Sequence, residues 1–317
     1  MPRLSGPPDL GTRSRAAARS ARLAVTYLTT FELPALALAL TGRAGTRDTA
    51  LGAFSGLGAR LFGDGFRRAG MSLDVPEDLP RPAEDRPVVV LLRHAGTLNS
   101  HLLFHLATGV LGRRPVCPGR LRALTDPAVG LLVRPTEARQ FYWNEAGRKR
   151  ALQYVAESAA TLTAAQALAV FPEGTNITAR RRARALAELR TRGMHARAEW
   201  AAGLRHVLPP QHAGVVTALR KAVDADVLVV GHQGLEDLVG WAYRTCCPPR
   251  VPGRVRVHWW HTPAADVPRT PARIAEWIDA QWERMDAWLD APLPAGLLRP
   301  DLPGAGADSA GPGCRGR

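Results

Sequence analysis

Short apolar runs separated by longer amphipathic segments predict an α/β fold for this chain. Four runs have the length and composition of buried strands: residues 87–92, 167–170, 226–232 and 255–261. Segments between them place apolar residues every three or four positions, which is typical of helices that cover a sheet. Because 317 residues can bury one substantial core, we expect a single main α/β domain with additions.

Two apolar segments precede the first predicted strand. Residues 23–40 come nearest to a membrane span, but Glu32 and Pro34 interrupt them, so a helix lying on the membrane and a core-packed helix pair fit equally well. Residues 46–68 repeat apolar residues at helical spacing, which predicts an amphipathic helix. Each glycine in this helix lowers its stability by about 1 kcal/mol relative to alanine. Packing against the core or against a lipid surface must therefore compensate for the lost helix stability.

The predicted organisation has four parts. Residues 1–22 form a basic tail, and residues 293–317 form a second tail rich in glycine and proline; both compositions are typical of disorder. Residues 23–74 supply the N-terminal helices, and residues 75–292 form the α/β domain. A connection rich in proline and acidic residues marks the boundary between these two parts.

The formal net charge of +14 comes almost wholly from arginine, since Lys149 and Lys221 are the two lysines of the chain. Such a charge attracts anionic lipid surfaces, nucleic acid or acidic substrates. The sequence has no zinc-finger, helix-turn-helix or RNP-like pattern, so we expect no nucleic-acid partner. Four cysteines without CxxC spacing indicate a reducing, cytosolic environment.

The first candidate for chemistry is His94, which follows the strand at residues 87–92 and precedes a helix-like segment. In open α/β sheets, reactive groups stand at this end of the strands. Asn99 lies in the first turn of that helix and is close enough in sequence to hydrogen-bond His94. Further along, His101 and His105 have the helical spacing of two metal ligands, but no third ligand stands at convincing spacing, and we predict no metal.

The second candidate follows the strand at residues 167–170, which runs into Phe171-Pro172-Glu173-Gly174-Thr175-Asn176. Proline and glycine end the strand and expose backbone N–H groups, and Glu173 adds one acid. We expect the ends of the two strands to line one crevice.

Four blocks in this order resemble the signature of the glycerolipid acyltransferases. They are His94 followed five residues later by Asn99, then Phe171-Pro172-Glu173-Gly174, the proline block at 207–214, and the strand at 227–231. The similarity spans residues 88–289. It is greatest to an actinobacterial branch with Arg-His-Ala-Gly in the first block and Asn-x-Thr after the second.

The resemblance implies a mixed, largely parallel sheet flanked by helices, with amphipathic N-terminal helices that hold the protein on the cytoplasmic face of the plasma membrane. The segment at residues 46–68 is our candidate for that contact. The implied reaction moves a fatty acyl group from a thioester of CoA or acyl-carrier protein to a hydroxyl of a lysophospholipid or glycerol phosphate. The thioester is a co-substrate, and no bound cofactor is implied. The implied partners are this acyl donor, the lysophospholipid acceptor and an anionic membrane surface.

The resemblance also implies roles for single residues. His94 is the general base, oriented by Asn99, and Glu173 binds the acceptor hydroxyl. Backbone N–H groups near Gly174 and Gln211 are candidates to position the reacting oxygens. The full set predicted to contact substrate is Glu173, Gly174, Thr175, Asn176, Arg180 and Pro210. Two interpretations fit the arginines around Arg180. They bind the phosphate of the acceptor, or they form a basic face against anionic lipid headgroups.

One position departs from the family pattern, because Asn99 stands where the family has an aspartate. A carboxylate would keep Nδ1 of the histidine protonated and would stabilise the imidazolium. An asparagine oxygen accepts the same hydrogen bond, whereas its NH₂ group would donate to Nδ1 and give the wrong tautomer. Two hypotheses follow: an active acyltransferase, and a non-catalytic lipid-binding relative that has lost the acid.

Overall fold

The computed structural model describes residue 18 and residues 21–41, 47–96, 98–120, 139–141, 144–236 and 254–291. The strands are β1 (Ser72–Asp74), β2 (Val88–Leu92), β3 (Arg114–Val116), β4 (Pro118–Arg120), β5 (Arg139–Phe141), β6 (Gln166–Val170), β7 (Asp226–Gln233) and β8 (Arg254–Thr262). All four apolar runs that were predicted to be strands correspond to strands of this structure: β2, β6, β7 and β8.

The helices follow the same chain order. α1 covers residues 21–40, with a π-helical turn at Leu28–Glu32, and α2 covers Arg47–Arg60 and continues through Leu61–Gly65 and Phe66–Arg68. α3 is Asn99–Phe104, continued by a π-helical turn at His105–Val110. The remaining helices are α4 (Glu145–Ala160), α5 (Ala179–Thr191), α6 (His195–Gly203), α7 (His212–Lys221) and α8 (Pro271–Asp290).

Six strands form the main sheet in the order β1, β8, β7, β2, β6, β3, and β4 pairs with β5 in a separate ribbon. Neighbouring strands of the main sheet are parallel, except β7 and β8, which are antiparallel. The predicted α/β class with a mixed, largely parallel sheet and N-terminal helices is therefore confirmed. β2 lies between β7 and β6, so the strand that precedes His94 has a partner on both sides.

The sheet is buried on both faces, which explains why its central strands are continuous apolar runs. Successive residues of β2 point to opposite sides: Val88, Val90 and Leu92 join one core cluster, and Val89 and Leu91 join the other. The first cluster also holds the buried residues of α1, α2 and α3, and the second holds those of α4, α7 and α8.

The two N-terminal helices belong to the core of the sheet and do not form a separate unit. Three residues are fully buried in the same cluster as β2: Leu23 and Phe31 of α1, and Phe66 in the last turn of α2. β1, from the predicted N-terminal part, pairs with β8. The predicted boundary near residue 74 therefore does not separate two cores. In the second half of the segment that was predicted to contact a membrane, the apolar residues Leu57, Leu61, Phe62 and Phe66 pack inside the protein.

Most of the large apolar side chains that are exposed in the described part of the chain lie on α1. Four of its large apolar side chains are among the exposed residues: Val25, Leu28, Leu33 and Leu40. The opposite face of α1 contacts α3, where the Tyr27 hydroxyl lies 3.0 Å from Nε2 of His101. Within the described ranges, no helix is both long enough and apolar enough to cross a bilayer. α1 is thus amphipathic, with one face in the core and one in solvent.

The core assignment predicts a large contrast between two leucine truncations. Leu219 of α7 is 1% exposed, whereas Leu33 of α1 is 51% exposed. Leu219→Ala should lower the free energy of unfolding by about 2–5 kcal/mol because it leaves a cavity. Leu33→Ala should change it by about 0.5 kcal/mol or less. Urea unfolding of both variants checks this, and equal midpoint shifts would contradict the assigned core.

Candidate active site

The site forms where β2 and β6 end side by side. The two strands are parallel neighbours, with Leu91 opposite Val170, so the loops that follow them emerge at the same edge of the sheet. One loop carries His94, and the other runs from Phe171 to Asn176. The backbone N–H of Ile177 donates to the carbonyl oxygen of His94 at 3.2 Å. As predicted, the two strand ends meet, and this bond joins their loops.

The buried side chain of Arg93 fixes the start of the loop that carries His94. That side chain is 2% exposed, and its guanidinium donates to the carbonyl oxygens of His206, at 2.7 Å, and of His232. In return, Nε2 of His232 donates to the Arg93 carbonyl oxygen at 3.2 Å. Burial lowers the pKa of His232 to about 3, so this imidazole is neutral at physiological pH. The backbone that carries His94 is consequently fixed from two sides.

Gly96 is required by the close approach of the next loop. Its φ is +97°, and a Cβ at this position would lie 1.9 Å from the carbonyl oxygen of Leu235. Any other residue would collide with that backbone and adopt a strained conformation. The loop after His94 therefore packs directly against the loop after β7.

Two asparagines surround Nδ1 of His94. Oδ1 of Asn176 lies 2.5 Å from Nδ1, and Nδ2 of Asn99 lies 2.9 Å from it. The two asparagines also contact each other, since Nδ2 of Asn99 donates to Oδ1 of Asn176 at 3.1 Å. The ring of Phe171 packs on the imidazole with its centroid 4.9 Å away. The two side chains described at Nδ1 are therefore neutral amides.

The predicted contact between His94 and Asn99 is present, but the acceptor at Nδ1 belongs to Asn176. A side-chain amide oxygen accepts hydrogen bonds and cannot donate them. A hydrogen bond between Nδ1 and this oxygen requires the proton on Nδ1, which leaves the lone pair on Nε2. A histidine in this tautomer can take a proton from a substrate hydroxyl as a general base.

Glu173 is buried inside the protein, whereas its predicted contact with the acceptor hydroxyl requires an accessible carboxyl group. It is 2% exposed, and among the described residues neither carboxyl oxygen completes a hydrogen bond. Burial raises the pKa of this carboxyl to about 8, although Arg93 and the backbone amides of His94 and Leu208 act in the opposite direction. The group is consequently protonated at neutral pH. Contact with an acceptor hydroxyl would require the side chain to leave this position.

Near the positions proposed for the reacting oxygens, two backbone N–H groups bond within the protein. The Gly174 N–H donates to the Phe171 carbonyl oxygen at 2.9 Å, and the Gln211 N–H donates to the Pro172 carbonyl oxygen at 2.8 Å. These two groups therefore stabilise the loop after β6. Gly174 has φ of +64°, and a Cβ there would lie 2.8 Å from Nε2 of Gln211.

The remaining predicted residues lie at different distances from the His94 cluster. Thr175 is half-buried in the loop of Asn176, and Pro210 is buried with its carbonyl oxygen accepting from Arg197 at 3.0 Å. Arg180 is exposed in the first turn of α5. The next residue, Arg181, donates to the carbonyl oxygen of Asn176 at 3.1 Å. Arg181 is therefore the arginine of this turn that contacts the cluster.

The architecture is similar to that of a solved 1-acyl-sn-glycerophosphate acyltransferase, PlsC, from Thermotoga maritima. The two share 16% sequence identity with a TM-score of 0.57, and the match covers 89% of this chain and 99% of that chain. The fold is acyltransferase-like. No protein-family model matches the sequence, and no curated protein matches it. At this identity the likeness establishes the fold alone, and any activity must be argued from the site.

Sequence reasoning placed Asn176 among the substrate-binding residues and missed its contact with His94. It also missed the anchoring role of Arg93 and the burial of Glu173. One signal was available for the first of these. Asn99 lacks the carboxylate that the resemblance implies, and a second polar side chain, Asn176, follows the other strand that ends at the same edge of the sheet.

The buried Glu173 carboxyl predicts a pH-dependent loss of stability. Its folded pKa of about 8 lies above the ordinary value of 4.5, so between these pH values the folded protein holds a proton that the unfolded chain releases. Stability should therefore fall as the pH rises from about 4.5 to 8. The decline is on the order of several kcal/mol, because one pKa unit corresponds to about 1.4 kcal/mol.

Glu173→Gln should flatten this decline, since glutamine keeps the shape of the protonated acid and does not ionise. The variant should be more stable than the original protein at pH 8. Glu199→Gln, on the exposed side of α6, is the matched control and should keep the original profile. Urea unfolding across this pH range measures the effect. A profile unchanged by Glu173→Gln would show that the carboxyl is not buried as described.

Proposed function

We propose that this protein is an acyltransferase that moves a fatty acyl group from a thioester of CoA or acyl-carrier protein to a hydroxyl of a lysophospholipid or glycerol phosphate. The observation that carries the proposal is the state of His94. Its imidazole stands at the end of the central parallel strand, and its Nδ1 is hydrogen-bonded so that Nε2 can accept a proton. The fold shared with a lysophosphatidate acyltransferase supports the same reaction class.

The proposed reaction needs one base and no covalent intermediate on the enzyme. Nε2 of His94 takes the proton of the acceptor hydroxyl while its oxygen attacks the thioester carbonyl carbon. A new C–O ester bond forms and the C–S bond breaks. The imidazolium then returns its proton to the departing thiolate, which restores the neutral base. The products are the acylated lipid and the free thiol.

Positive charge beside the cluster suits a phosphate-bearing acceptor. Arg181 is fixed to the Asn176 carbonyl oxygen, and Arg180 is exposed in the same turn. A guanidinium group binds phosphate oxygens in a bidentate manner. The overall charge of +14 favours anionic substrates and surfaces in the same sense.

His94→Ala should lower turnover by about 10²–10⁴-fold, the usual contribution of a general base, and should leave folding intact. His195→Ala is the matched control, since this histidine is exposed in the first turn of α6. Mass spectrometry of a panel of lysolipids incubated with acyl-CoA or acyl-carrier protein provides the assay. Full activity of His94→Ala would contradict the mechanism. An original protein that binds lysolipid but transfers no acyl group would support the non-catalytic alternative.

We further propose that the protein binds membranes peripherally through the exposed face of α1. Val25, Leu28, Leu33 and Leu40 stand on this face, while Leu23 and Phe31 fix the helix to the core. Such a helix can insert its apolar side chains into the headgroup region without spanning the bilayer. Deletion of the segment is unsuitable as a test, because its buried face belongs to the core.

Replacing Val25, Leu28, Leu33 and Leu40 together by serine should reduce binding to anionic vesicles by about 100-fold. This corresponds to a loss of roughly 0.7 kcal/mol per residue, a partial burial of each side chain. Val223→Ser and Met194→Ser, at exposed apolar sites outside α1, are the controls. Sedimentation with vesicles at low and high salt measures binding. If the fourfold variant binds as well as the original protein at both salt concentrations, α1 is not the contact.

A further inference from the structure

We propose that Asn176, and not Asn99, is the positioning residue that fixes the proton of His94 on Nδ1, and that Asn99 acts by holding Asn176. The inference rests on the proposed function, in which His94 is the base. In place of the expected pair of His94 and Asn99, three side chains act together: His94, Asn176 from the loop after β6, and Asn99 from the start of α3. Both positioning groups in this triad are neutral amides.

The identity of the atoms at Nδ1 separates the two roles. Asn176 presents an oxygen at 2.5 Å, and Asn99 presents its NH₂ nitrogen at 2.9 Å. Because an amide NH₂ group cannot accept, Asn99 in this orientation cannot receive the Nδ1 proton. The oxygen of Asn176 can, and its second lone pair receives the NH₂ group of Asn99 at 3.1 Å.

The opposite orientation of the Asn99 amide is disfavoured by its neighbour. Rotation by 180° would place Oδ1 of Asn99 near Oδ1 of Asn176, and two acceptor oxygens at about 3 Å would repel each other. In the described structure Asn99 is 3% exposed, and its Oδ1 completes no hydrogen bond. Rotation would bury an unpaired NH₂ group in the same place, so it would remove no cost.

The backbone around Asn176 is built to hold its side chain against His94. Arg181 donates to the Asn176 carbonyl oxygen at 3.1 Å, and the neighbouring Ile177 N–H donates to His94 at 3.2 Å. Thr178 then caps α5, since its hydroxyl accepts from the Arg181 N–H at 3.2 Å. Three consecutive residues therefore connect the start of α5 to the catalytic histidine.

The tautomer of His94 can be measured without any substrate. In the full-length protein with ¹⁵N-labelled histidine, the two ring nitrogens of His94 report which one is protonated, and His94→Ala identifies its signals among the nine histidines. We expect the proton on Nδ1. Asn176→Ala removes the acceptor of the Nδ1 proton. Because rotation of the Asn99 amide would bury its NH₂ group without a partner, that group should stay beside Nδ1, donate to it and shift the proton to Nε2. Asn99→Ala should keep the proton on Nδ1.

Turnover should follow the tautomer. Asn176→Ala should lower turnover by about 10²–10⁴-fold with little change in KM, as expected when a base is held in the wrong tautomer. Asn99→Ala, which removes the group that holds Asn176 and leaves the acceptor at Nδ1, should lower turnover by a smaller factor. Asn176→Asp keeps an acceptor oxygen at this position, so turnover should stay close to that of the original protein. The pKa of His94 should rise, because a carboxylate stabilises the imidazolium. The acidic limb of the pH–rate profile should therefore move to higher pH, which a merely structural role would not produce.

The proposal is overturned if Asn99→Ala moves the proton to Nε2 or abolishes turnover while Asn176→Ala does neither. It is also overturned if the original protein carries the proton on Nε2. Absence of transfer with every donor and acceptor would count against the proposed function alone. The ring-nitrogen measurement would still decide which asparagine fixes the tautomer.

Discussion

The parallel pairing of β2 with β6 is the constraint on which the rest of the site depends. Their register places the residues after Leu91 beside those after Val170, although the two segments are about eighty positions apart. A shift of one residue would turn each strand's side chains to the opposite face. The two core clusters on either side of the sheet resist that shift, because each depends on alternate residues of the same strands. Packing on both faces thereby sets the geometry at one strand end.

Burial also determines the electrostatic character of the site. Three polar side chains near His94 are buried: Arg93, Glu173 and His232. Burial raises the pKa of Glu173 to about 8 and lowers that of His232 to about 3, so both groups are neutral near pH 7. The two side chains described at Nδ1 of His94, Asn176 and Asn99, are neutral amides. Amide dipoles therefore lie where the resemblance leads us to expect a carboxylate.

α1 combines two roles that usually belong to separate elements. Its buried face, with Leu23 and Phe31, completes the core on one side of the sheet, and its other face exposes Leu28 and Leu33. The contact of Tyr27 with His101 joins it to α3, the helix that carries Asn99. A surface contact of α1 would therefore lie one helix away from the residues around His94. This arrangement places the exposed apolar face of α1 and the loop that carries His94 on the same core.

The sequence by itself determined the elements whose cause is local. Continuous apolar runs predicted β2, β6, β7 and β8. The start of α8 has a local cause too, since the Thr270 hydroxyl accepts from the Arg273 N–H and Pro271 occupies the first turn. The sequence also selected His94 and the loop after β6, because strand ends followed by polar residues mark the active edge of an open sheet.

Tertiary structure alone decided which groups meet and which are buried. Periodicity shows that α2 has an apolar face, but that face fits a core and a membrane equally well until the sheet beneath it is known. The burial of Glu173 and the engagement of the Gly174 and Gln211 N–H groups depend on how the loops pack. The bond from His94 to Asn176 joins residues separated by 82 positions and depends on strand register. No local sequence pattern predicts a contact between residues so far apart in the chain, because the contact depends on how both faces of the sheet pack.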